Sequence, residues 1–203
     1  MKSPLRLFWL LAMLLPGAIV ARAQDGTRAQ APVCSLSGAN MDAFAALDYD
    51  AFNYGPDGWR KLAENKCYYE AAASIVSWLT DHENALNPAQ LRTQHYQAAR
   101  NFALAGRKPV AMVQLRMARE ARAGTGAAMD WNAFMDAFAA WLNADRAGLD
   151  AAIARLERQS PGKNGRKPNL VAAQRFARCF ERDYIAIEQD ASCLASSASE
   201  KTP

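Results

Sequence analysis

Histidine is the residue type in this chain best suited to metal binding or acid–base catalysis, and the sequence holds two, His82 and His95. Both are expected within one to two helical turns of the same bend, with Asp81 and Glu83 beside them, which makes a candidate metal or acid–base group. His95, however, falls on an apolar helical stripe, and His82 ends a helix, where histidine complements the helix dipole. A metal site also needs three or four convergent ligands. We therefore predict two structural histidines, no metal site and no cofactor.

Carboxylates are the second group that could do chemistry. Asp42, Asp48 and Asp50 precede the first predicted turn and Asp57 lies within it. Two acids flanking a cleft can hydrolyse glycosides, so a hydrolase acting on cell-wall sugar is one alternative. Nothing in the sequence fixes their separation, and acids near helix starts usually cap or solvate the helix. No G-x-S-x-G motif is present, and neither histidine has an evident serine or cysteine partner. The prediction is a protein that is not an enzyme.

Four cysteines, Cys34, Cys67, Cys179 and Cys193, are candidates for disulfides. If the last helix runs unbroken from about Leu170 to Asp190, Cys179 and Cys193 are roughly 15 Å or more apart. A disulfide needs Cα atoms within about 7 Å. This favours bridges from the N-terminal part to the last helix, or a Cys34–Cys67 bridge with the other two cysteines free. Zinc is disfavoured because there is no C-x-x-C and no histidine at ligand spacing.

The first 23 residues have the pattern of a secretory signal peptide. Lys2 and Arg6 precede an apolar run from Leu7 to Val20, and Ala21-Arg22-Ala23 is a small-x-small cleavage site. We predict export to the periplasm or the medium, with no integral membrane association after cleavage. The alternative is an N-terminal membrane anchor, for which the run, broken by Pro16-Gly17, is short.

Signal cleavage also changes the charge of the chain. Three of the 24 Lys and Arg residues leave with the signal and no acid does, so 21 bases face 20 acids and the net charge falls from +4 to about +1. A nucleic-acid partner requires a basic face, so none is predicted. Beyond the signal we expect a flexible lead-in at 24–39, a helical-hairpin domain at 40–190 and a disordered tail at 191–203.

Apolar residues recur every three to four positions throughout, and no segment alternates with period two. The expected fold is all-α, with seven or eight helices stacked as antiparallel hairpins. A first helix is expected from an Asn40 cap through Phe52, and a last one from Leu170 to Asp190. Between them, three hairpins are predicted to turn near 65–66, 106–109 and 143–148. The bulky stripe from Trp131 to Leu142 is expected to be core.

The three hairpins share a small residue just inside their second helix. Ala72, Ala111 and Ala152 lie 39 and 41 residues apart, and a larger residue follows four positions after each: Val76, Leu115 and Leu156. The pattern resembles the tetratricopeptide repeat, and its best copy has Ala99, Phe102, Gly106, Ala111, Leu115 and Ala118. The resemblance implies a helical array with a concave groove that binds a peptide or protein. The alternative is a closed helical bundle.

Aromatic residues near the turns are the candidates for a binding surface, because Tyr and Trp favour interfaces. These are Tyr54, Trp59, Tyr68 and Tyr69. The resulting hypothesis is an exported protein that binds a protein or peptide partner without doing chemistry. A second hypothesis is an inhibitor or immunity-type protein that blocks a secreted enzyme by covering its surface.

Overall fold

The computed structural model describes residues 34–120, 130–162 and 164–194. The predicted signal peptide at 1–23, most of the predicted lead-in and residues 195–203 of the predicted tail lie outside the described residues.

Every regular element in the described ranges is helical, so the predicted all-α class is confirmed. The α-helices are α1 (Gly38–Ala45), α2 (Tyr49–Tyr54), α3 (Trp59–Glu64), α4 (Tyr68–His82), α5 (Pro88–Leu104), α6 (Lys108–Met117), α7 (Trp131–Leu142), α8 (Arg146–Arg158), α9 (Leu170–Arg178), α10 (Tyr184–Gln189) and α11 (Ala191–Leu194), with a 3-10 turn at Glu83–Ala85. The number exceeds the predicted seven or eight, because the first and last predicted helices are each divided and α11 follows the last one. None of the described helices has both the length and the apolar character needed to span a membrane.

Helices that follow one another in the chain mostly pack against one another. From α3 to α9, each helix contacts the next, as in a stack of antiparallel hairpins. Helix α10 departs from this order, because it folds back to contact α5. The end of the folded chain is therefore held beside its middle.

The three hairpins turn in the same way. Lys66, Gly106 and Ala144 have φ values of 63°, 70° and 55°, in the left-handed region. In each turn the next residue donates its backbone N–H to a carbonyl five positions back, with N···O distances of 2.9, 2.7 and 2.8 Å. This is the Schellman helix ending, and the same donor residue starts the following helix. The predicted turn positions are confirmed, although only one of the three carries the glycine that favours this conformation.

Glycine at the other two turns is expected to stabilise the protein. A non-glycine residue in the left-handed region costs about 1–2 kcal/mol. Glycine avoids this cost, but its more flexible unfolded chain offsets about 0.5–1 kcal/mol of the gain. Lys66→Gly and Ala144→Gly should each raise the free energy of urea unfolding by about 0.5–1 kcal/mol. Gly106→Ala should lower it by about 1 kcal/mol, because an added Cβ meets no atom within 4 Å and only the backbone is strained. The matched control is Ala105→Gly at φ −79°, which should lose stability; a gain there would assign the effect to something other than backbone conformation.

The repeated alanines are packed between helices. Ala72 and Ala111 are fully buried and Ala152 is 2% exposed. Small residues at these points let α4, α6 and α8 approach their neighbours closely. The packing role predicted for them is confirmed, while membership in the tetratricopeptide-repeat family stays a prediction.

Two apolar clusters form the core. The larger is centred on Phe138 of α7, whose ring lies 5.2 Å from that of Phe176 and 5.0 Å from that of Tyr184. In the smaller one Phe52 stacks on Trp78, with ring centroids 4.7 Å apart. The predicted aromatic stripe on α7 is therefore core, as expected from its helical spacing.

The predicted first helix is wrong in its start and in its continuity. The cap is Ser37, whose hydroxyl accepts from the backbone N–H of Asn40, and α1 ends at Ala45. A new helix, α2, begins after Asp48, whose carboxylate accepts from the N–H of Ala51 at 2.8 Å. Asp48 satisfies the first turn of α2 and so favours a new start over continuation.

The last predicted helix is also wrong, and this changes the disulfides. It stops at Arg178 and restarts at Tyr184 with Asp183 as the cap. The break folds the chain back and brings the Cα atoms of Cys179 and Cys193 to 5.8 Å, where they form a disulfide. The sequence pattern disfavoured this pair because it predicted an unbroken helix. That prediction is wrong, because the helix is broken.

The second disulfide joins Cys34 to Cys67, with Cα atoms 5.3 Å apart. This pairing is one of those that the sequence favoured. The accompanying prediction that Cys179 and Cys193 would be free is wrong, because all four cysteines form disulfides. Since Cys193 lies buried in α11, ordered structure also continues four residues beyond the predicted domain end at 190.

Candidate functional site

A cavity of about 380 Å³ lies where α10 returns to α5, and α3 and the start of α4 complete its wall. We call it the α3–α10 cavity. It is lined by Trp59, Arg60, Ala63, Glu64, Tyr68, Arg100, Asn101, Leu104, Glu188 and Gln189. Its volume is in the lower part of the range of small-ligand sites.

Two of the aromatic residues proposed from the sequence, Trp59 and Tyr68, line this cavity. Trp59 is 1% exposed, and its indole N–H donates to the side-chain oxygen of Asn53 at 3.1 Å. The Tyr68 hydroxyl accepts from the Gln189 amide at 3.3 Å. Each aromatic side chain is thus held by a hydrogen bond to a residue of another helix, Trp59 to Asn53 of α2 and Tyr68 to Gln189 of α10.

Arg60 carries a positive charge at the cavity wall. Its Nε donates to the backbone oxygen of Asn53, and its guanidinium lies 4.5 Å from the Trp59 ring and 5.5 Å from the Tyr54 ring. Cation–π contacts of this kind hold the side chain in one orientation. No carboxylate among the described residues lies within ion-pairing distance of it.

The opposite wall contains an ion pair between α5 and α10. An Arg100 N–H donates to Glu188 at 2.7 Å. Burial by itself lowers the pKa of Arg100, but the hydrogen bond and charge of Glu188 outweigh it and raise that pKa overall. Burial also raises the pKa of the neighbouring Tyr96 to about 12. Glu188 therefore stabilises the charged form of Arg100 and is its ion-pair partner.

Asn101 contributes a polar atom that has no partner. It is 1% exposed, and its side-chain N–H donates to the backbone oxygen of Gln97 at 2.9 Å, which fixes the orientation of the amide. Its Oδ1 is buried and accepts no hydrogen bond from any described residue. An unpaired buried acceptor costs about 1–3 kcal/mol, and because this oxygen is buried it does not form part of the exposed surface of the cavity.

Glu64 lies one helical turn after Arg60 and is exposed. The two do not form an ion pair, because Arg60 is turned onto the aromatic rings. Within the part of the chain that the structure describes, Glu64 has no salt-bridge partner. The lining therefore presents one cation and one anion that are not neutralised by each other.

The other two proposed binding residues lie outside the lining. Tyr54 is 67% exposed and borders the cavity only through its contact with Arg60. Tyr69 is 48% exposed and packs against Phe102, with Arg107 over its ring.

The four acidic candidates are all exposed, and two of them have structural contacts. Asp48 caps α2, and Asp57 pairs with Lys61 at 3.3 Å on the surface. Asp42 and Asp50 are exposed residues of α1 and α2. This arrangement matches the capping and solvation expected as the ordinary alternative to catalysis.

Both histidines have structural contacts. A His82 ring nitrogen lies 2.9 Å from the backbone oxygen of Trp78, and its ring stacks on that indole at 4.2 Å. His95 is buried and lies 2.8 Å from the side-chain oxygen of Gln114. In each case the interpretation as a structural histidine accounts for the contacts.

One group of possible metal ligands occurs among the described residues, formed by Cys34, Cys67 and Glu70, whose ligand atoms lie within 4.8 Å of one another. Both sulfur atoms are joined in a disulfide. In this oxidised state they are not thiolate donors, and the group is explained by the covalent bond.

The sequence did not identify the polar half of the cavity. Arg60, Arg100, Asn101 and Glu188 come from three helices that are far apart in the chain. The available signal was Asn101, a polar residue inside the most strongly apolar part of α5, between Ala98 and Phe102.

No family model matches this chain, and neither the curated proteins nor the solved structures that were compared with it give a match.

Proposed function

We propose that this protein is an exported, non-enzymatic binding protein that holds a peptide segment of a partner protein in the α3–α10 cavity. The observation that carries the proposal is a cavity lined by aromatic, amide and charged side chains, in which Arg60 and Glu64 have no salt-bridge partner among the described residues. A peptide can supply opposite charges for these two residues and backbone hydrogen-bonding groups for the polar side chains of the lining.

The composition of the lining supports binding over catalysis. The residues that line the cavity include no serine, threonine, cysteine, histidine or aspartate, so the lining offers no Ser–His or Cys–His pair. Glu188 is neutralised by Arg100. What remains is a set of aromatic, amide and charged groups that can orient a ligand.

Two disulfides support export, because such bonds persist in oxidising compartments. The leader pattern at residues 1–23 agrees with this. The repeated hairpin turn supports the tetratricopeptide-like interpretation, and arrays of helical hairpins offer binding surfaces for peptides.

Selection of peptides on the oxidised protein, by display of random heptapeptides, tests the proposal. Gln189→Trp places a large ring at an exposed position of the cavity lining and should weaken the selected peptides by about ten-fold or more. Val171→Trp adds the same ring at an exposed apolar position on α9 and should leave affinity within about two-fold. Failure to select any peptide, or equal binding by the Gln189→Trp protein, would contradict the proposal.

A further inference from the structure

The charges of the α3–α10 cavity point to the kind of peptide that fits it, an inference that rests on the proposed function. Of the four charged residues in the lining, Arg100 and Glu188 neutralise each other at 2.7 Å. Arg60 and Glu64 have no salt-bridge partner among the described residues. The charge that a ligand meets is therefore a cation and an anion on one side of α3.

The guanidinium of Arg60 is held in an orientation that can bind a carboxylate. Its Nε is occupied by the backbone oxygen of Asn53, and stacking on Trp59 and Tyr54 holds the guanidinium plane. The two terminal nitrogens form no hydrogen bond with a described residue. Their N–H groups have the fork geometry that carboxylates accept in a bidentate manner.

Glu64 completes a dipolar site. Four residues of helix separate it from Arg60, which places the two Cα atoms about 6 Å apart. In an extended peptide, residues two apart are separated by a similar distance, about 6.6 Å. Opposite charges at such positions can therefore face Arg60 and Glu64 together.

We infer that the α3–α10 cavity selects a peptide that carries a carboxylate and a cationic side chain two residues apart, the carboxylate on Arg60 and the cation toward Glu64. The carboxylate belongs either to an acidic side chain or to the end of the peptide, since Arg60 recognises the group and not its source. Contact with the partly exposed ring of Tyr68 adds apolar burial.

The probes are N-acetylated, C-amidated heptapeptide mixtures with Glu-X-Lys or Lys-X-Glu at the centre and uncharged residues elsewhere. Matched mixtures carry Gln in place of Glu, or Gln in place of Lys, and one Gln-X-Lys mixture has a free terminal carboxylate. Affinity is measured by competition with a peptide selected as described above. The wild-type protein should prefer the doubly charged mixture by about ten-fold over each singly charged, amidated one.

Arg60→Gln should remove the preference for Glu over Gln and leave binding of the Gln-containing mixture within about two-fold. Glu64→Gln should do the same for the preference for Lys. Arg116→Gln, at an exposed arginine of α6, should change neither, and thermal unfolding of each variant checks its fold. Rescue of the Gln-X-Lys mixture by a free terminus would assign the carboxylate to the peptide end, and no rescue would assign it to the side chain.

Binding that is blocked by Gln189→Trp but shows no charge preference would overturn this inference and leave the proposed function standing. Binding of none of the mixtures, or binding unaffected by Gln189→Trp, would contradict the proposed function itself. Equal losses of the Glu and Gln mixtures in Arg60→Gln would show that Arg60 supports the wall and does not contact a carboxylate.

Discussion

Phe138→Ala is expected to lower the free energy of unfolding by about 3–5 kcal/mol, the usual range for removing a fully buried phenylalanine. Phe138 is 0% exposed. Its ring lies 5.0 Å from Tyr184 on α10 and 5.2 Å from Phe176 on α9, and it also contacts Trp141 and Tyr96. One side chain therefore joins helices α5, α7, α9 and α10, and its loss leaves a cavity between elements that cannot all move to fill it.

Urea unfolding of the oxidised protein measures this loss. Phe180→Ala is the matched control, because Phe180 is only partly buried and its aromatic contact is with Arg146 at the surface; about 1–1.5 kcal/mol is expected there. A loss below about 1 kcal/mol in Phe138→Ala would show that the aromatic rings do not form one core.

Removing the Cys179–Cys193 disulfide is expected to cost about 3 kcal/mol, and removing Cys34–Cys67 about 4 kcal/mol. The bonds close loops with sequence separations of 14 and 33 residues, and a longer loop restricts the unfolded chain more. The Cys179–Cys193 bond also holds α11 against α9, where Arg178 donates to the backbone oxygen of Cys193 at 3.0 Å.

The measurement is urea unfolding of the two double variants, Cys179→Ala with Cys193→Ala and Cys34→Ala with Cys67→Ala. Non-reducing digestion of the wild-type protein should release one peptide pair for each bond. A peptide that links Cys34 to Cys193, or unchanged stability in either double variant, would contradict the connectivity described above.

The hairpins could be predicted because their signals are local. Helical spacing correctly placed Ala72, Phe102, Ala111 and Leu115 in the core. A local cap also starts α7, where the Asp130 carboxylate accepts from the Ala133 N–H at 2.8 Å. The turns at Lys66 and Ala144 were located correctly even though neither is a glycine. Packing of the flanking helices holds these residues in the left-handed region against their own preference.

The break between α9 and α10 could not be predicted from periodicity. Ala173, Tyr184 and Ile187 all keep a helical spacing and are all buried, so the apolar pattern runs through the break. The cue was Asp183, a capping residue followed directly by the start of α10. The disulfide to Cys193 depends on this bend, which is why helix length alone excluded it.

The cavity was only half predictable, for a similar reason. Trp59 and Tyr68 were singled out because aromatic residues near turns favour interfaces, but Trp59 contributes a buried wall and not an exposed surface. Arg100 and Glu188 are 88 positions apart, and only the return of α10 to α5 brings them together. Local patterns carry no information about such a contact.

The central claim is that a peptide binds in the α3–α10 cavity, and the indole N–H signals of the tryptophans test it most directly. The described residues include four tryptophans, of which Trp59 alone lines the cavity. Trp78 and Trp131 donate to the backbone oxygens of Leu47 and Ala118 elsewhere. In a ¹H–¹⁵N spectrum assigned with Trp→Phe variants, a selected peptide should shift the Trp59 signal and leave those of Trp78 and Trp131 unchanged. A bound peptide that shifts Trp78 or Trp131 and leaves Trp59 in place would contradict the account.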